Sequence, residues 1–503
     1  MNRPIRNVAV AAIVMVIALL ANATWIQVFR AEDLRDDTRN TRVQLDEYSR
    51  QRGVIVASDG TVLAESVPTD NKFKYLRQYP ASGNPKAFAP ITGFFARYQS
   101  DPRGLEVAEN SVLNGNDDRL FTQRFMDMFS GRDPRGGNVV TTIDPKLQRV
   151  AYRELVNSDC DGPCRGAVVA LEPSSGKILA LASTPSYDPN TLATQDFTKA
   201  AAAWKAINAV DDVHSPLINR AIGSLYPPGS TFKVISTATA LSSGLNADTR
   251  LTAASRWTLP GSDATLSNDS GSTCPDSTGG TVSLTQAFQY SCNTAFAQLL
   301  TQKVPGDKVS QFKSTASDFG IGDDTADIPL DVSESSVGDI GDDLAALGQS
   351  AIGQRDVRLT VLQNAMIAAT VANGGVRMQP YLVDKLQTAD LRTIATTAPT
   401  TLNRPLTAAE ATTITDMMIK SEQHTRGAQS GIASKTGTAE HSDQAEGGET
   451  PYAWYIAFSP SSNSRIAVAV MVENGAQGQN AYGGVVAAPI GRAVMNAYTG
   501  GAR

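Results

Sequence analysis

Histidine is scarce in this chain, and that scarcity removes the most common metal ligand. The three present, His214, His424 and His441, lie far apart, make no ligand spacing and read as ordinary surface or loop histidines. No metal and no cofactor are expected. Runs of lysine and arginine are missing too, and the formal charge is -6 at pH 7, which makes DNA and RNA poor candidates as partners. Internal repeats and low-complexity segments are absent, which sets aside repeat architectures. What remains is 503 residues, enough for two to four domains and a large core.

Cysteine is nearly as rare, with four in the chain. Cys160 and Cys164 flank Asp-Gly-Pro, a tight turn, and Cys274 and Cys292 would close a loop of about 18 residues worth roughly 3 kcal/mol. Two local bridges in an oxidising compartment are expected. A four-cysteine zinc site is the alternative, and the second spacing is wide for it. The N-terminus fits that compartment. Arg3 and Arg6 precede an unbroken apolar run from Val8 to Ala21, which continues to Phe29 with only Asn22, Thr24 and Gln27 as polar interruptions. About 22 helical residues cross a bilayer core of roughly 30 Å. Basic residues before the run and Glu32-Asp33 after it place the N-terminus in the cytoplasm and the bulk of the chain outside. A cleaved signal peptide is the rival, since Ala21-Asn22-Ala23 fits a cleavage site; the apolar stretch runs past that site, which favours an anchor.

A charged connector, Arg30 to Asp46, follows. Arg52 to Ala64 reads as two short strands around Asp59-Gly60. Phe73 to Arg135 mixes turns and short elements and offers no nucleophile, ligand cluster or phosphate loop; it reads as a spacer or interaction module. A boundary is placed at Gly136-Gly137. Beyond it the pattern predicts a strand at Val139–Ile143 and a helix from Pro145 to Val156. Strands follow at Ala167–Leu171 and Ile178–Leu181, then a helix around Ala200–Ala209. A helix over Ser283–Thr301, an apolar helix over Leu359–Val371 and a hairpin of Trp454–Phe458 with Ile466–Val472 complete the set, before a closing helix over Ala487–Ala497.

The chemistry centres on Tyr226-Pro-Pro-Gly-Ser-Thr-Phe-Lys233. The prolines and glycine stop what precedes them, and Thr231 to Leu241 reads as a helix with Phe232, Ile235, Ala238 and Leu241 on one face. Ser230 and Lys233, three apart, share a helix face, and Ser230 lies at the positive helix end. This is a serine nucleophile beside an amine base. Ser-x-x-Lys is a cheap pattern, found again at Ser174–Lys177 on an exposed turn and Ser310–Lys313 on a surface helix. Order discriminates: Ser230-x-x-Lys233 is followed by Ser291-x-Asn293 and then by Lys435-Thr-Gly437, the one Lys-Thr-Gly in the chain. Ser-x-Asn alone recurs at Ser82–Asn84 and Ser461–Asn463.

That ordered triple resembles penicillin-binding proteins and serine β-lactamases. The flanks Asn219-Arg-Ala221, Ser183-Thr-Pro-Ser-Tyr-Asp-Pro-Asn190, Ile352-Gly-Gln354, Ala372-Asn-Gly-Gly375 and Lys435-Thr-Gly-Thr-Ala-Glu440 resemble the transpeptidases among them. Arg52-Gly-Val-Ile resembles the membrane-anchored class B proteins, and the local spelling is similar to the actinobacterial penicillin-binding protein A group. Ser434 stands where glycine is common before Lys-Thr-Gly, and Val361 follows Thr360 where proline is common. Neither touches a reacting group.

The resemblance implies an α/β (α+β) fold in three parts. Residues 1–30 form a tail and anchor, 31–136 a small non-catalytic, dimerisation- or pedestal-like domain, and 137–503 a transpeptidase domain with a central antiparallel sheet flanked by helices. It implies a peptidoglycan D,D-transpeptidase of the cell membrane, its catalytic domain extracellular. Its partners are D-Ala-D-Ala stem peptides, β-lactams, a membrane-embedded glycan polymerase and other wall-synthesis proteins. In the expected chemistry Ser230 attacks a peptide carbonyl. Lys233, neutral through burial and nearby Lys435, takes its proton. Ser291 passes a proton between the lysines and the leaving amine, and Asn293 holds Lys233 or the acyl amide. Lys435 with the hydroxyls of Thr436 and Thr438 suits a carboxylate, and Gly437 permits close approach of a strand-like peptide. By resemblance the oxyanion hole is the backbone N–H pair of Ser230 and Thr438. A D,D-carboxypeptidase or β-lactamase-like hydrolase shares the acylation step, although no class A deacylating glutamate can be placed. A penicillin-sensing receptor or an inactive scaffold is the non-enzyme alternative.

Overall fold

The computed structural model describes residues 3–30 and 48–500, except 72, 81–82, 97–102, 132, 134, 161, 211–213, 323–327, 440–450 and 476–481. Most of the charged connector, and Glu440 and His441 near the lysine motif, lie outside the described residues. Helix α1 (Arg3–Phe29) is apolar and unburied along its length, with a mean hydropathy of 2.3 in its best window. It is long and apolar enough to cross a membrane.

Two large sheets organise the rest, with three two-stranded sheets beside them. The first takes strands from both sides of Gly136-Gly137. Strands β1 (Ile55–Val56), β2 (Val62–Pro68) and β3 (Tyr75–Gln78) precede the glycines, and β4 (Asn138–Thr141) follows them. Its order is completed at one edge by a later hairpin, Val383–Gln387 with Thr393–Thr396, which pairs with β4. Glycine is required where the segments cross: a Cβ on Gly53 would sit 1.8 Å from the Gly137 carbonyl oxygen, and one on Gly136 1.8 Å from that of Leu113. The preceding Arg52 is clamped by the carboxylate of buried Glu106, Nε to Oε2 2.6 Å, beside Arg77 on the other oxygen at 2.6 Å. The Arg52-Gly53 pair is thus a structural seam. Helix α2 (Phe121–Phe129) lies on the outside of this region.

The second sheet is antiparallel throughout. Strands β5 (Gly166–Leu171) and β6 (Ile178–Thr184) pair with each other, and β5 also pairs with the late hairpin. That hairpin and its neighbour are β7 (Ala433–Ala439), β8 (Tyr452–Ser459) and β9 (Ile466–Val472), giving the order β7-β8-β9-β5-β6. Alternation with period two divides its side chains between two cores. Val168, Ala170, Tyr455, Val468 and Val470 face helices α3 (Pro145–Val156) and, from the chain's end, Ala487–Thr499. Ala167, Val169, Trp454, Ile456 and Ala469 face the larger core built on α4 (Lys233–Ser242) and Val361–Ala372. The latter helix is buried on nearly every side, which explains its lack of a polar face. The architecture is a five-stranded antiparallel sheet sandwiched by helices, and the motif residues sit where α4 meets the edge strand β7.

Candidate active site

The turn that presents Ser230 is held from every side. Backbone bonds pair Tyr226 with Leu359 in both directions, N to O 3.0 and 2.9 Å. Trp454 Nε1 donates to the Pro227 carbonyl at 2.9 Å, and Tyr226 Oη donates to Glu473 at 2.6 Å. Gly229 has φ +53 and donates its N–H to the Gly353 carbonyl at 3.0 Å. A Cβ on Gly229 would lie 2.6 Å from the Thr438 carbonyl oxygen, so only glycine lets the turn approach β7 this closely. Gly353, from the Ile352-Gly-Gln354 segment, closes the other side, its own Cβ position 2.3 Å from the Gly229 oxygen. The close approach at Gly437 is likewise made by the chain itself, with the Pro228 oxygen 2.8 Å from the Cβ position. The Ala372–Gly375 segment, by contrast, ends its helix and packs Gly375 on Leu406.

The helix expected over Thr231–Leu241 begins as a 3-10 turn, Gly229–Phe232, and becomes α-helical at Lys233. Ser230 and Lys233 stay on one face, with Lys233 Nζ 2.9 Å from Ser230 Oγ. A larger departure concerns Ser283–Thr301. It is two α-helices, α5 (Leu284–Gln289) and α6 (Asn293–Gln298), the second continued by a π turn over Leu299–Lys303, and they are broken at Ser291, whose φ is +58. A non-glycine residue in this region is uncommon. The break turns Ser291 Oγ and its carbonyl inward, 3.1 and 2.7 Å from Lys233 Nζ, while Asn293 Oδ1 sits 2.7 Å from the same nitrogen. Lys435 reaches in from β7, donating to Ser291 Oγ at 2.9 Å and to the Thr436 carbonyl at 3.0 Å. Ser230, Lys233, Ser291, Asn293 and Lys435, far apart along the chain, thus form one hydrogen-bonded cluster. Thr436, Gly437 and Thr438 continue β7 beside it, at the open edge of the sheet.

Both lysines are buried, at 0% and 1% exposure. Burial first, and the neighbouring Lys435 charge second, push the Lys233 amine well below its ordinary value, with Asp269 opposing. Burial brings Lys435 down to about 7, again against Asp269. Hydrogen-bond arithmetic agrees with a neutral Lys233. The Ser291 carbonyl and Asn293 Oδ1 can only accept, and the two N–H bonds of an amine satisfy them. Its lone pair is then left for the Ser230 hydroxyl. Phe296 and Phe288 lie 5.4 and 5.9 Å from the two Nζ atoms and keep the floor apolar.

Two supports were not visible as motifs, and an expected bridge adds a third. Asp269 accepts from Asn293 Nδ2 at 3.2 Å, beside the Ser267 carbonyl at 3.0 Å. Buried Glu422 accepts from Ser434 Oγ at 2.5 Å, Tyr455 Oη at 2.9 Å and Arg492 Nε at 2.8 Å, bracing the strand just before Lys435. Ser434 in place of glycine therefore has a partner. The bond between Cys274 and Cys292 ties the residue between Ser291 and Asn293 to the loop that carries Asp269; Cys160 and Cys164 are bonded elsewhere. Among the described residues no group of His, Cys, Asp and Glu could hold a metal.

The family model for the penicillin binding protein transpeptidase domain matches residues 166–496, the stretch that holds the whole cluster. The chain belongs to the penicillin-binding protein transpeptidase family. A second family model, the penicillin binding protein A dimerisation domain, matches residues 52–139. The peptidoglycan D,D-transpeptidase PbpA of Mycolicibacterium smegmatis is 55% identical over 99% of both chains, and that of Mycobacterium tuberculosis is 51% identical over 99% of both. Penicillin-binding protein A from M. tuberculosis, solved as its penicillin G acyl-enzyme complex, superposes with a TM-score of 0.83 at 51% identity. That likeness covers 90% of this chain and all of the other.

Proposed function

We infer that this chain is a serine peptidoglycan D,D-transpeptidase that is acylated by β-lactams. The observation that carries the reading is the buried Ser230–Lys233 contact of 2.9 Å with its amine driven toward the neutral form. Ser230 Oγ attacks the carbonyl of the penultimate D-Ala, and its proton passes to Lys233 Nζ. The C–N bond to the terminal D-Ala breaks. Its nitrogen leaves as an amine, taking a proton through Ser291 Oγ, which touches both lysines. Lys435, with the hydroxyls of Thr436 and Thr438, receives the terminal carboxylate. The N–H groups of Ser230 and Thr438 face the developing oxyanion, a preorganised pair whose loss costs about 10²–10³-fold in comparable sites. Edge strand β7 offers backbone groups for pairing with an extended stem peptide. The amine of a second stem peptide then attacks the acyl-enzyme, forming the cross-link and freeing Ser230. A β-lactam acylates by the same first step.

Residues 137–503 carry this reaction and 31–136 form a non-catalytic module. The dimerisation-domain match over residues 52–139 and the lack of a nucleophile motif from Phe73 to Arg135 support that division. Arg3 and Arg6 in the first turns of α1, ahead of its apolar run, put the N-terminus inside and the catalytic domain outside, where the two disulfides persist. The span and the module dock a membrane-embedded glycan polymerase and other wall-synthesis proteins. Mass spectrometry of penicillin-treated protein tests the chemistry. One adduct on Ser230, absent from Ser230→Ala and lasting many minutes, is expected. An adduct on the alanine variant, or turnover within seconds, would overturn the transpeptidase reading.

A further inference from the structure

Helix α2 is inside out. Its buried side chains are Gln123 and Asp127, and polar contacts hold them. Gln123 accepts from the Ala389 N–H at 3.1 Å and donates to the Arg135 carbonyl at 3.3 Å, while Asp127 pairs with Arg135 at 3.5 Å. The outward face carries Phe121, Phe125, Met126, Met128 and Phe129, 54–84% exposed. Phe121, Phe125 and Phe129 form a stacked ladder with centroids 6.5 and 6.4 Å apart. No outward side chain on this face is charged. At roughly 200 Å² of surface per such side chain, the stripe presents on the order of 500 Å² of apolar area, at the size that marks an interaction site.

The position of the stripe identifies its occupant. Helix α1 ends at Phe29, and the folded body is joined a short way on, at Tyr48. That connector, residues 30–47, reaches at most about 60 Å when fully extended. The chain enters the body beside α2. Arg50 donates to the Asn116 side chain at 3.2 Å, Arg124 of α2 donates to the Asn116 carbonyl at 2.9 Å, and Gly136 N–H bonds to Gln51 at 2.9 Å. The tether and the stripe therefore share one end of the molecule. A nine-residue helix is only about 13.5 Å long and falls short of the roughly 800 Å² per partner that a stable protein interface needs. It is sufficient for shallow insertion of aromatic side chains at a lipid interface.

We propose that α2 is a second membrane contact, lying in the outer bilayer interface through Phe121, Phe125 and Phe129, so that the body is held at two points rather than swinging on one tether. All four native cysteines are bonded, so an engineered one is the sole free thiol. The test uses the full chain, one copy per phosphatidylcholine–phosphatidylglycerol nanodisc, with Met126→Cys carrying an environment-sensitive fluorophore. Lipids spin-labelled near the headgroup quench this probe at least threefold more than one at Lys313→Cys on the body surface. Adding Phe121→Ser, Phe125→Ser and Phe129→Ser brings the quenching to the Lys313→Cys level, while penicillin acylation, which reports folding, is unchanged. Equal quenching at positions 126 and 313 overturns the proposal. So does shielding from aqueous iodide without lipid quenching, and so does shielding that needs two copies per disc, which would assign the stripe to a second copy of the chain.

Discussion

Ser230–Lys233 and Ser174–Lys177 share a pattern and almost nothing else. The turn expected to be exposed is largely buried, with only Ser174 at the surface, and Lys177 after it is half-buried, its Nζ 3.2 Å from Asp384 and its side chain 37% exposed. Partial burial works against its charge, but the hydrogen bond and charge of Asp384 outweigh this and raise its pKa. Lys233 has no carboxylate partner among the described residues, a second lysine nearby and complete burial, and it shifts the opposite way. Ser310–Lys313 is a third case: Ser310 N–H bonds to Asp307 at the start of a surface helix, and Lys313 is exposed. Spacing puts serine and lysine within reach of each other; the surroundings decide whether the amine can act as a base. The largest expected effect breaks this comparison directly. Lys233→Ala lowers the second-order rate of β-lactam acylation by about 10³-fold, within the range of lost general-base catalysis. Lys177→Ala changes it less than about twofold. A comparable loss in both, by stopped-flow or gel-based acylation kinetics, would show that environment is not what separates them.

Two of the three motif segments were legible in shape because each carries its own local cause. Pro227-Pro228-Gly229 forces a turn before an apolar helix, and Ala433–Ala439 is a strand in which Lys435, Thr436 and Gly437 take fixed positions. The Ser291 break was not legible. Leu284 to Thr301 has a continuous helical period, and what interrupts it is tertiary: the left-handed turn at Ser291, the Cys292 bridge and the pull of two lysines on its oxygen atoms. Asp269 and Glu422 were hidden for a related reason. A lone acidic residue in a loop or helix carries no signal until the fold brings Asn293 or Ser434 to it. Helix α2 conceals its meaning differently. Phe121, Phe125 and Phe129 are at ordinary core spacing, and only the structure shows that face turned outward.

The two disulfides sharpen the same contrast between a site and its look-alike. Cys274–Cys292 spans 18 residues and anchors the Ser291–Asn293 turn, whereas Cys160–Cys164 spans 4 and touches none of the reacting groups. Loop-closure entropy assigns about 3 kcal/mol to the first and about 2 kcal/mol to the second. Replacing Cys274 and Cys292 by serine therefore lowers stability by about 3 kcal/mol. It also slows acylation about tenfold at a temperature where the protein stays folded, because Ser291 is no longer pinned. Replacing Cys160 and Cys164 by serine costs stability alone. Denaturant midpoints and acylation rates on both double variants separate the outcomes, and an equal acylation loss in both would remove the site role of Cys292.

The smallest effect is on stability against pH, and it again sets a fully buried lysine against a half-buried one. Lys435 is near 7 when folded and about 10.4 when unfolded. Between those values the unfolded chain binds the extra proton, so stability rises with pH. The folding penalty of a buried charge is fully present below about pH 7 and fades above it, by up to about 1.4 kcal/mol per pH unit. Lys233, also lowered, adds in the same direction. Lys177 has the opposite shift: its contribution is constant through this window and is lost as pH rises from about 10.4 through its own raised pKa. Denaturant midpoints at pH 7, 8 and 9 should therefore climb in the wild-type protein and in Lys177→Met with the same slope, and climb less steeply in Lys435→Met. If Lys435→Met keeps the wild-type slope, Lys435 is already charged throughout this range, and the carboxylate it awaits is bound by a full ammonium at every pH tested.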